Sequence, residues 1–259
     1  MKKLLTVLLL FAMLLSCFAG CAKEPATDSE YVKKNGKLIV GITDYAPMDY
    51  KDENGEWTGF DAEFATLFAK ELGVDVEFFV IADWNKKVFE LDSKNIDCIW
   101  NGMTINEELL KTTNCSDPYV INAQVVVMKN EKLEGFADAA SLVDLTVAVE
   151  SGSTGESAAK DAGIKNLVAT QDQAKALMEV AAGTADACII DITMANAMTG
   201  EGTDYAGLGY TLKLNTEEDG VGFRKDSDLT AKFNEFMASL KADGTLQALA
   251  EKYQLTLAE

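Results

Sequence analysis

Segments with the character of strands and of helices alternate along most of this chain, and this alternation limits the possible folds more than any other feature. Short apolar, β-rich segments cover residues 38–42, 76–80 and 97–100, whereas residues 60–72 carry apolar side chains at helical spacing. Strands that are separated by helices need crossover connections, which favours a largely parallel sheet with helices on its faces. The sequence therefore predicts the α/β class.

The same order of segments returns in the second half of the chain. Residues 124–128, 145–149 and 186–190 have the character of strands, and residues 171–182 have that of a helix. In each half a helix leads to an aspartate, then to a short apolar strand, then to a polar residue. We therefore expect two similar α/β lobes. The pattern alone does not assign the helical C-terminus to either lobe.

The first 21 residues have the organisation of an export signal, with two lysines, an apolar run at residues 4–15 and small residues after it. A membrane-spanning helix needs about 20 apolar residues, so a cleaved signal fits better. The Phe-Ala-Gly-Cys motif that ends at Cys21 resembles the lipobox of bacterial lipoproteins. We therefore predict a lipoprotein signal peptide over 1–20, a lipid on Cys21 and a polar, flexible tether over 21–36. Cys17 is a second candidate for the lipid, and ordinary secretion is the alternative.

Charge and composition exclude several function classes. The formal net charge is −19 at pH 7, which makes nucleic acids and anionic lipid surfaces poor partners. The chain contains no histidine and no CxxC motif, so we expect no metal site, no cofactor and no catalytic residues of the Ser-His or Cys-His kind. Beyond the signal, Cys98, Cys115 and Cys188 are an odd number, and the first and last of them lie in apolar runs that predict burial.

Polar and aromatic residues follow the predicted strands, at the edge where open parallel sheets bind ligands. Thr43 follows the first strand, and the candidates for ligand contact are Asp44, Tyr45, Trp84, Asn101, Gly102, Met103, Thr104, Glu150, Ser153, Thr154 and Asp191. Two aromatic rings, several hydroxyl or amide groups and several carboxylates suit a small polar solute that carries an amine. Structural roles remain open for some of them: Trp84 could pack against the core, and Asp191, Ser153 and Thr154 could cap helices.

Several motifs give the chain a resemblance to a known family. They are Tyr45-Ala46-Pro47, Gly59-Phe60-Asp61, Asn95-Ile96-Asp97, Asn101-Gly102-Met103-Thr104, Ser116-Asp117-Pro118-Tyr119, Val147-Ala148-Val149, Ser151-Gly152-Ser153, residues 186–191, Gly220-Val221-Gly222-Phe223-Arg224-Lys225 and Asp243-Gly244-Thr245. Together they resemble the type 2 periplasmic binding proteins for polar amino acids, which are the solute receptors of ABC importers. The resemblance extends over nearly all of residues 37–257.

The resemblance implies a two-lobed fold, with a mostly parallel sheet in each lobe and two hinge crossings. Lobe 1 would comprise residues 37–121 and 217–259, and lobe 2 residues 122–216. The ligand would lie between Tyr45 and Trp84, with its ammonium group on Asp191 and its carboxylate on Thr104 and the Ser153–Thr154 loop. The resemblance also implies a monomer that is anchored by its lipid at the outer face of the cytoplasmic membrane and is partnered by an ABC permease.

One departure from the family pattern concerns the ligand carboxylate. The family usually has an arginine five residues beyond the threonine that matches Thr104, and this chain has Leu109 there. Lys111 would lie about 200° away on a helix and is a poor substitute. Three explanations are open: a cationic ligand without an α-carboxylate, a weaker grip on an amino acid, or lost affinity.

Two other functions compete with transport. Some relatives in the family are dehydratases, and Glu150 could serve as the general acid of such an enzyme. A sensor that feeds a signalling receptor could use the same closed form.

Overall fold

The computed structural model describes residues 26–259. The predicted signal peptide, both lipid-attachment candidates (Cys21 and Cys17) and the first part of the predicted tether lie outside the described residues. Within residues 26–259, no helix is both long enough and apolar enough to cross a membrane.

Strands and helices alternate through the described chain as the sequence predicts. The strands are β1 (Lys37–Ile42), β2 (Tyr50–Lys51), β3 (Trp57–Thr58), β4 (Asp75–Val80), β5 (Cys98–Thr104), β6 (Thr113–Cys115), β7 (Val120–Asn122), β8 (Gln124–Lys129), β9 (Thr146–Glu150), β10 (Asn166–Thr170), β11 (Ala187–Asp191), β12 (Leu208–Lys213) and β13 (Glu217–Arg224). The α-helices are α1 (Asp28–Asn35), α2 (Phe60–Leu72), α3 (Lys87–Asp92), α4 (Glu107–Thr112), α5 (Thr154–Asp161), α6 (Gln173–Ala182), α7 (Ile192–Met198), α8 (Leu229–Asp243) and α9 (Thr245–Lys252). Short 3₁₀ segments cover Trp84–Lys86, Asn130–Gly135 and Ala139–Leu142.

The two larger sheets are mixed rather than mostly parallel. The first has the order β4-β1-β5-β13-β6, with β7 also paired to β13, and the second has the order β10-β9-β11-β8-β12. The pairs among β1, β4 and β5 and among β9, β10 and β11 are parallel, as expected. The strands β13 and β8 pair antiparallel with their neighbours, because the chain enters each of them from the opposite sheet.

The chain passes between the sheets twice. It leaves the first sheet on β7 and enters the second on β8 one residue later, and it returns from β12 to β13 through residues 214–216. The two passages are bonded to each other. The backbone N–H of Leu214 donates to the carbonyl of Gln124 at 2.8 Å, and β7 pairs with the start of β13.

An aromatic core fixes the helices that cover the first sheet. Phe60, Phe64 and Phe68 lie on one face of α2 and are fully buried, and Gly73 ends this helix in the left-handed conformation. The ring of Phe233 on α8 lies 5.3 Å from that of Phe64 and 4.8 Å from that of Trp100 on β5, measured between centroids. Apolar burial and edge-to-face packing therefore attach the C-terminal helix α8 to the first sheet.

The two halves of the chain share a side-chain to backbone hydrogen bond at the start of one central strand. Asp97 precedes β5, and its carboxylate accepts from the N–H of Ile39 at 3.0 Å; Asp186 precedes β11, and its carboxylate accepts from the N–H of Thr146 at 3.1 Å. In both cases an aspartate satisfies a donor of the neighbouring parallel strand. The sequence similarity between the two units thus corresponds to equivalent positions in two sheets.

The structure corrects the expected flexible tether at residues 28–35, which form helix α1. Thr27 caps the helix, Gly36 ends it, and Val32 is buried. Arg224, the only arginine of the chain, pairs with Asp28 at 3.0 Å and with Asp97 at 3.0 Å. The helix is short and weakly amphipathic, so its order depends on these tertiary contacts and could not be inferred from its composition.

Candidate functional site

A small cavity lies where the edges of the two sheets meet. It is lined from the first sheet and its loops by Thr43, Tyr45, Trp84, Asn101, Gly102, Met103 and Thr104, and from the second by Gln124, Glu150, Ser153, Thr154, Gln173 and Asp191. Its free volume is about 20 Å³, little more than one water molecule needs. The lobes are therefore closed against each other, and a solute enters only if they separate or the lining moves.

The structure brings together all but one of the residues that the sequence predicted for ligand contact. The exception is Asp44, whose side chain is exposed and does not line the cavity. Its neighbours Thr43 and Tyr45 are buried and do line it. Asp44 lies in a bend beyond the end of β1, so its position after the strand did not fix the direction of its side chain.

Sequence reasoning missed Gln124 and Gln173. Gln124 is the first residue of β8, which runs antiparallel to β11. The amino end of β8, and not its carboxyl end, therefore faces the cavity. Gln173 is the first residue of α6 and donates through its side-chain amide to Asp191. The rule that ligands bind beyond the carboxyl ends of strands finds neither residue. The sequence offered one indication for Gln124, which is a side-chain amide at the start of a strand that is otherwise largely apolar.

Asp191 lies at the end of β11 and is 3% exposed. It occupies the N-cap position of α7, yet its side chain makes no capping hydrogen bond. Its carboxylate instead accepts from the amides of Asn122 (2.8 Å), Gln124 and Gln173. Burial raises the pKa of this carboxyl, and the hydrogen bonds oppose that rise. The alternative role as a helix cap is thus not the one that its side chain fills.

Glu150 lies at the end of β9 and is also 3% exposed. Its Oε1 is fully buried and accepts no hydrogen bond from the described residues. Burial is the main cause that raises the pKa of this carboxyl well above its ordinary value, and the nearby charges of Asp191 and Asp172 add to it. A buried acceptor without a donor is uncommon in folded proteins and points to a missing partner.

Tyr45 and Trp84 are held in place by different contacts. A Cβ atom on Gly102 would lie 2.6 Å from the ring of Tyr45, so the glycine permits the ring to lie against the backbone of β5. The Tyr45 hydroxyl meets that of Thr193, on α7, at 2.5 Å. Trp84 is 7% exposed and belongs to a buried cluster that includes Met103 and Leu109. Trp84 therefore both packs against the core and lines the cavity.

A helix cap and a hinge contact occupy two hydroxyl groups of the cavity, those of Ser153 and Thr104. Ser153 is the N-cap of α5: its Oγ accepts from the N–H of Glu156 at 3.1 Å and donates to the carbonyl of Glu150 at 2.8 Å. Thr104 donates to Glu217 at 3.0 Å. The side-chain amide nitrogen of Asn101 is buried and has no acceptor among the described residues. Asn101 thus supplies a free donor in the cavity.

No cation stands where the family pattern has arginine. Leu109 is buried in the cluster beside Trp84, and Lys111 is exposed. A lysine that sequence reasoning missed lies nearby: Lys87 Nζ donates to the carbonyl of Trp84 at 3.2 Å and, across the cleft, to that of Gly152 at 3.1 Å. Asn85 adds a second link between the lobes, to Ser151 Oγ at 2.8 Å. These contacts form a latch, made of Asn85 and Lys87 on one lobe and Ser151 and Gly152 on the other.

Carboxylates also gather at the hinge. Glu217 accepts from Thr104 and, at 2.7 Å, from Gln124, and Asp219 lies two residues further along β13. Burial, followed by the charge of Asp191, raises the pKa of Glu217 to about 7. The cavity and hinge therefore form one acidic region, in which burial raises the pKa of Asp191, Glu150, Glu217 and Asp219. Among residues 26–259 no group of histidine, cysteine or acidic side chains is arranged to hold a metal ion.

Comparison with known proteins agrees with this architecture. The family model for bacterial extracellular solute-binding proteins, family 3, matches residues 38–256. The arginine-binding extracellular protein ArtP of Bacillus subtilis (strain 168) is 32% identical over 259 residues, which cover 98% of each chain. The structure of the P235GK mutant of ArgBP from T. maritima is similar with a TM-score of 0.80 at 32% identity and covers 87% of this chain and 98% of its own.

A further solved structure is that of AncCDT-1, an ancestral amino acid-binding protein described as a precursor of cyclohexadienyl dehydratase. It is 34% identical, with a TM-score of 0.79, and covers 87% of this chain and 98% of its own. These likenesses confirm the predicted fold class, an α/β fold of two lobes.

Proposed function

Because the chain belongs to family 3 of the bacterial extracellular solute-binding proteins, we propose that it captures a small amine-bearing solute by closing its lobes and delivers it to the permease of an ABC importer. The solute is a polar amino acid or a cationic amine. Lobe 1 is residues 37–121 with 217–259, and lobe 2 is residues 122–216. The two passages between the sheets support this division, and closure about such hinges is an established mode of ligand capture.

The observation that carries the proposal is the placement of Asp191. This buried carboxylate lies in one cavity with Tyr45 and Trp84, which come from the opposite lobe. A desolvated carboxylate among aromatic rings suits an ammonium group, because it supplies both an ion pair and cation–π contacts. The name of the related ArtP, which binds arginine, agrees with a ligand of this kind.

The cavity binds a ligand carboxylate with fewer charged groups than the family pattern provides. The free amide donor of Asn101 and the N-terminus of α5 beside Thr154 are available to a carboxylate, whereas the hydroxyls of Thr104 and Ser153 would have to give up their bonds to Glu217 and to the carbonyl of Glu150. None of them carries a formal positive charge. An amino acid therefore binds here without the guanidinium clamp, or the solute is an amine that needs none.

The export and anchoring of the protein complete the proposal. The signal over 1–20 directs the chain across the membrane. A lipid on Cys21 holds the chain at the outer face of the cytoplasmic membrane, and Cys17 is the second candidate for the lipid. The protein acts as a monomer beside its permease. Mass spectrometry of the mature N-terminus tests the anchor: a diacylated Cys21 supports it, and an unmodified N-terminus refutes it.

Calorimetry with amino acids, amines and polyamines tests the capture of a solute. We expect at least one of them to bind and to change the small-angle scattering profile of the protein. Asp191→Asn should weaken binding by about 100-fold or more, because it leaves a buried cation without its countercharge. Asp44→Asn is the matched control: it removes an exposed carboxylate outside the cavity and should bind normally. If no solute in the panel binds, or if both variants behave alike, the proposal is wrong.

An enzymatic role is the second candidate, and Glu150 is the observation that favours it. Burial raises the pKa of Glu150 well above its ordinary value, which is the direction that a general acid requires. The likeness to AncCDT-1, which is described as a precursor of a dehydratase, points the same way. Incubation with a cyclohexadienyl acid decides the matter: release of carbon dioxide and water with formation of an aromatic product would establish an enzyme, and an unchanged substrate would exclude this reaction.

A further inference from the structure

We propose that Glu150 receives a second cationic group of the solute, so that the ligand of this protein carries two positive charges, as a diamine or a basic amino acid does. This inference rests on the proposed function, because it assumes that a solute binds in the same cavity. It narrows the ligand class from amine-bearing solutes in general to solutes with two cationic groups, which are called dications below whether or not they also carry a carboxylate.

The first argument is the position of Glu150 relative to Asp191. Their strands, β9 and β11, are parallel neighbours, with Val149 opposite Ile189. Asp191 therefore lies one residue beyond the position opposite Glu150. Adjacent strands lie about 4.8 Å apart and rise about 3.3 Å per residue, which puts the two Cα atoms roughly 6 Å apart. Because both side chains line the same cavity, their carboxylates can hold two cationic groups of one small molecule.

The second argument is that Oε1 of Glu150 has no hydrogen-bond partner among residues 26–259. Its Oε1 is buried without a hydrogen bond from any described residue, whereas the Asp191 carboxylate accepts from three amides. Lys87, the cation whose charge acts on Glu150, donates to the carbonyls of Trp84 and Gly152 rather than to this carboxylate. An uncompensated buried carboxylate is costly, and an apolar residue at this position would avoid that cost. A cation from the solute would supply what the protein leaves out.

The third argument is the balance of charge around the cavity. Asp191 and Asp172 are the acidic groups that act on Glu150, and Lys87 is the cation that opposes them. A solute with one ammonium group would pair with Asp191 and leave Glu150 buried and alone. Sites that reject a ligand because a buried polar group would lose its partner discriminate strongly. The same cavity should therefore disfavour neutral side chains.

The experiment compares ornithine, norvaline and putrescine by calorimetry. Norvaline lacks the side-chain amine of ornithine, and putrescine lacks its carboxylate. For the unaltered protein we expect ornithine or putrescine to bind about 10- to 100-fold more tightly than norvaline, the range for one charge-assisted hydrogen bond. Glu150→Gln should abolish that preference by weakening the dications while leaving norvaline unchanged. Asp44→Asn should retain the preference.

The outcomes separate this inference from the function on which it rests. If norvaline binds as tightly as the dications, or if the preference survives in Glu150→Gln, the inference is wrong while the proposed capture of an amine stands. If none of these solutes nor any member of the wider panel binds, the proposed function fails as well. Norvaline binding by the Gln variant shows that the variant is folded.

Proton release provides a second measurement. Burial raises the pKa of Glu150, so a cation that pairs with its carboxylate should displace a proton at any pH at which the free protein holds one there, whereas Gln has none to lose. Calorimetry in buffers of different ionisation enthalpy should show more proton release for the unaltered protein than for Glu150→Gln. Equal release from both proteins would overturn the assignment.

Discussion

Replacement of Glu217 by Gln should stabilise the protein at alkaline pH and have little effect at acid pH. Burial raises the pKa of Glu217 from 4.5 to about 7, so the folded state favours the protonated side chain. A raised carboxyl pKa costs stability as the pH rises from the unfolded value toward the folded one. The cost is absent below about pH 4.5 and complete above about pH 7.

The magnitude follows from the same two values. At about 1.4 kcal/mol per pKa unit, the change from 4.5 to about 7 corresponds to about 3 kcal/mol of lost stability at pH 8. The side chain is partly exposed to solvent, which reduces this to about 2 kcal/mol. Gln preserves the acceptor for Thr104 and Gln124 without the charge. The variant should therefore gain about 2 kcal/mol at pH 8, or about 4–8 °C in Tm for a chain of this size.

Thermal unfolding at pH 5 and pH 8 provides the assay. Glu218→Gln is the matched control, because its side chain is the exposed neighbour of Glu217, and its Tm should follow that of the unaltered protein at both values. If the Tm difference between Glu217→Gln and the unaltered protein is the same at pH 5 and pH 8, Glu217 does not titrate as its burial requires and the reasoning is refuted.

Two further variants test the cleft. Leu109→Arg should raise the affinity for ornithine relative to putrescine by about 10-fold, because a guanidinium can pair with the carboxylate that only ornithine has. Calorimetry measures the ratio of the two affinities, and an unchanged ratio would show that position 109 does not reach the ligand. Lys87→Met keeps the apolar stem on Trp84 but removes the hydrogen bond to Gly152, so the closed form should lose about 1 kcal/mol and the ligand should dissociate several-fold faster. Stopped-flow measurement checks this against Lys86→Met, an exposed neighbour that should dissociate normally.

Local patterns accounted for most of the fold. The apolar spacing of α2 and its glycine stop predicted the helix within its observed bounds, because these signals do not depend on the rest of the chain. Helix α1 was missed because its order comes from the distant Arg224, which pairs with Asp28. The proportion of antiparallel pairs was missed because it depends on how often the chain passes between the sheets, which periodicity does not record.

The candidate site was predictable where it depends on strand ends and not where it depends on side-chain direction. Tyr45 and Asp191 lie just beyond or at the carboxyl ends of the parallel strands β1 and β11, whereas Asn101 lies inside β5, which continues to Thr104. Asp44 was assigned with them, but its side chain is exposed and lies outside the cavity. Lys87 was overlooked because a lysine at the start of a helix has nothing in its local sequence to distinguish it from a solvated one; only the carbonyl of Gly152 on the other lobe gives it a role.

The mutual bonding of the two interlobe passages restricts how this receptor can move. Two independent linkers would let the halves twist, slide and bend, but here the passages form one hydrogen-bonded ribbon, in which β7 pairs with β13 and Leu214 with Gln124. Such a ribbon bends across its plane far more easily than it shears within it. Opening and shutting should therefore follow a single trajectory, so that every closed molecule presents the same outline.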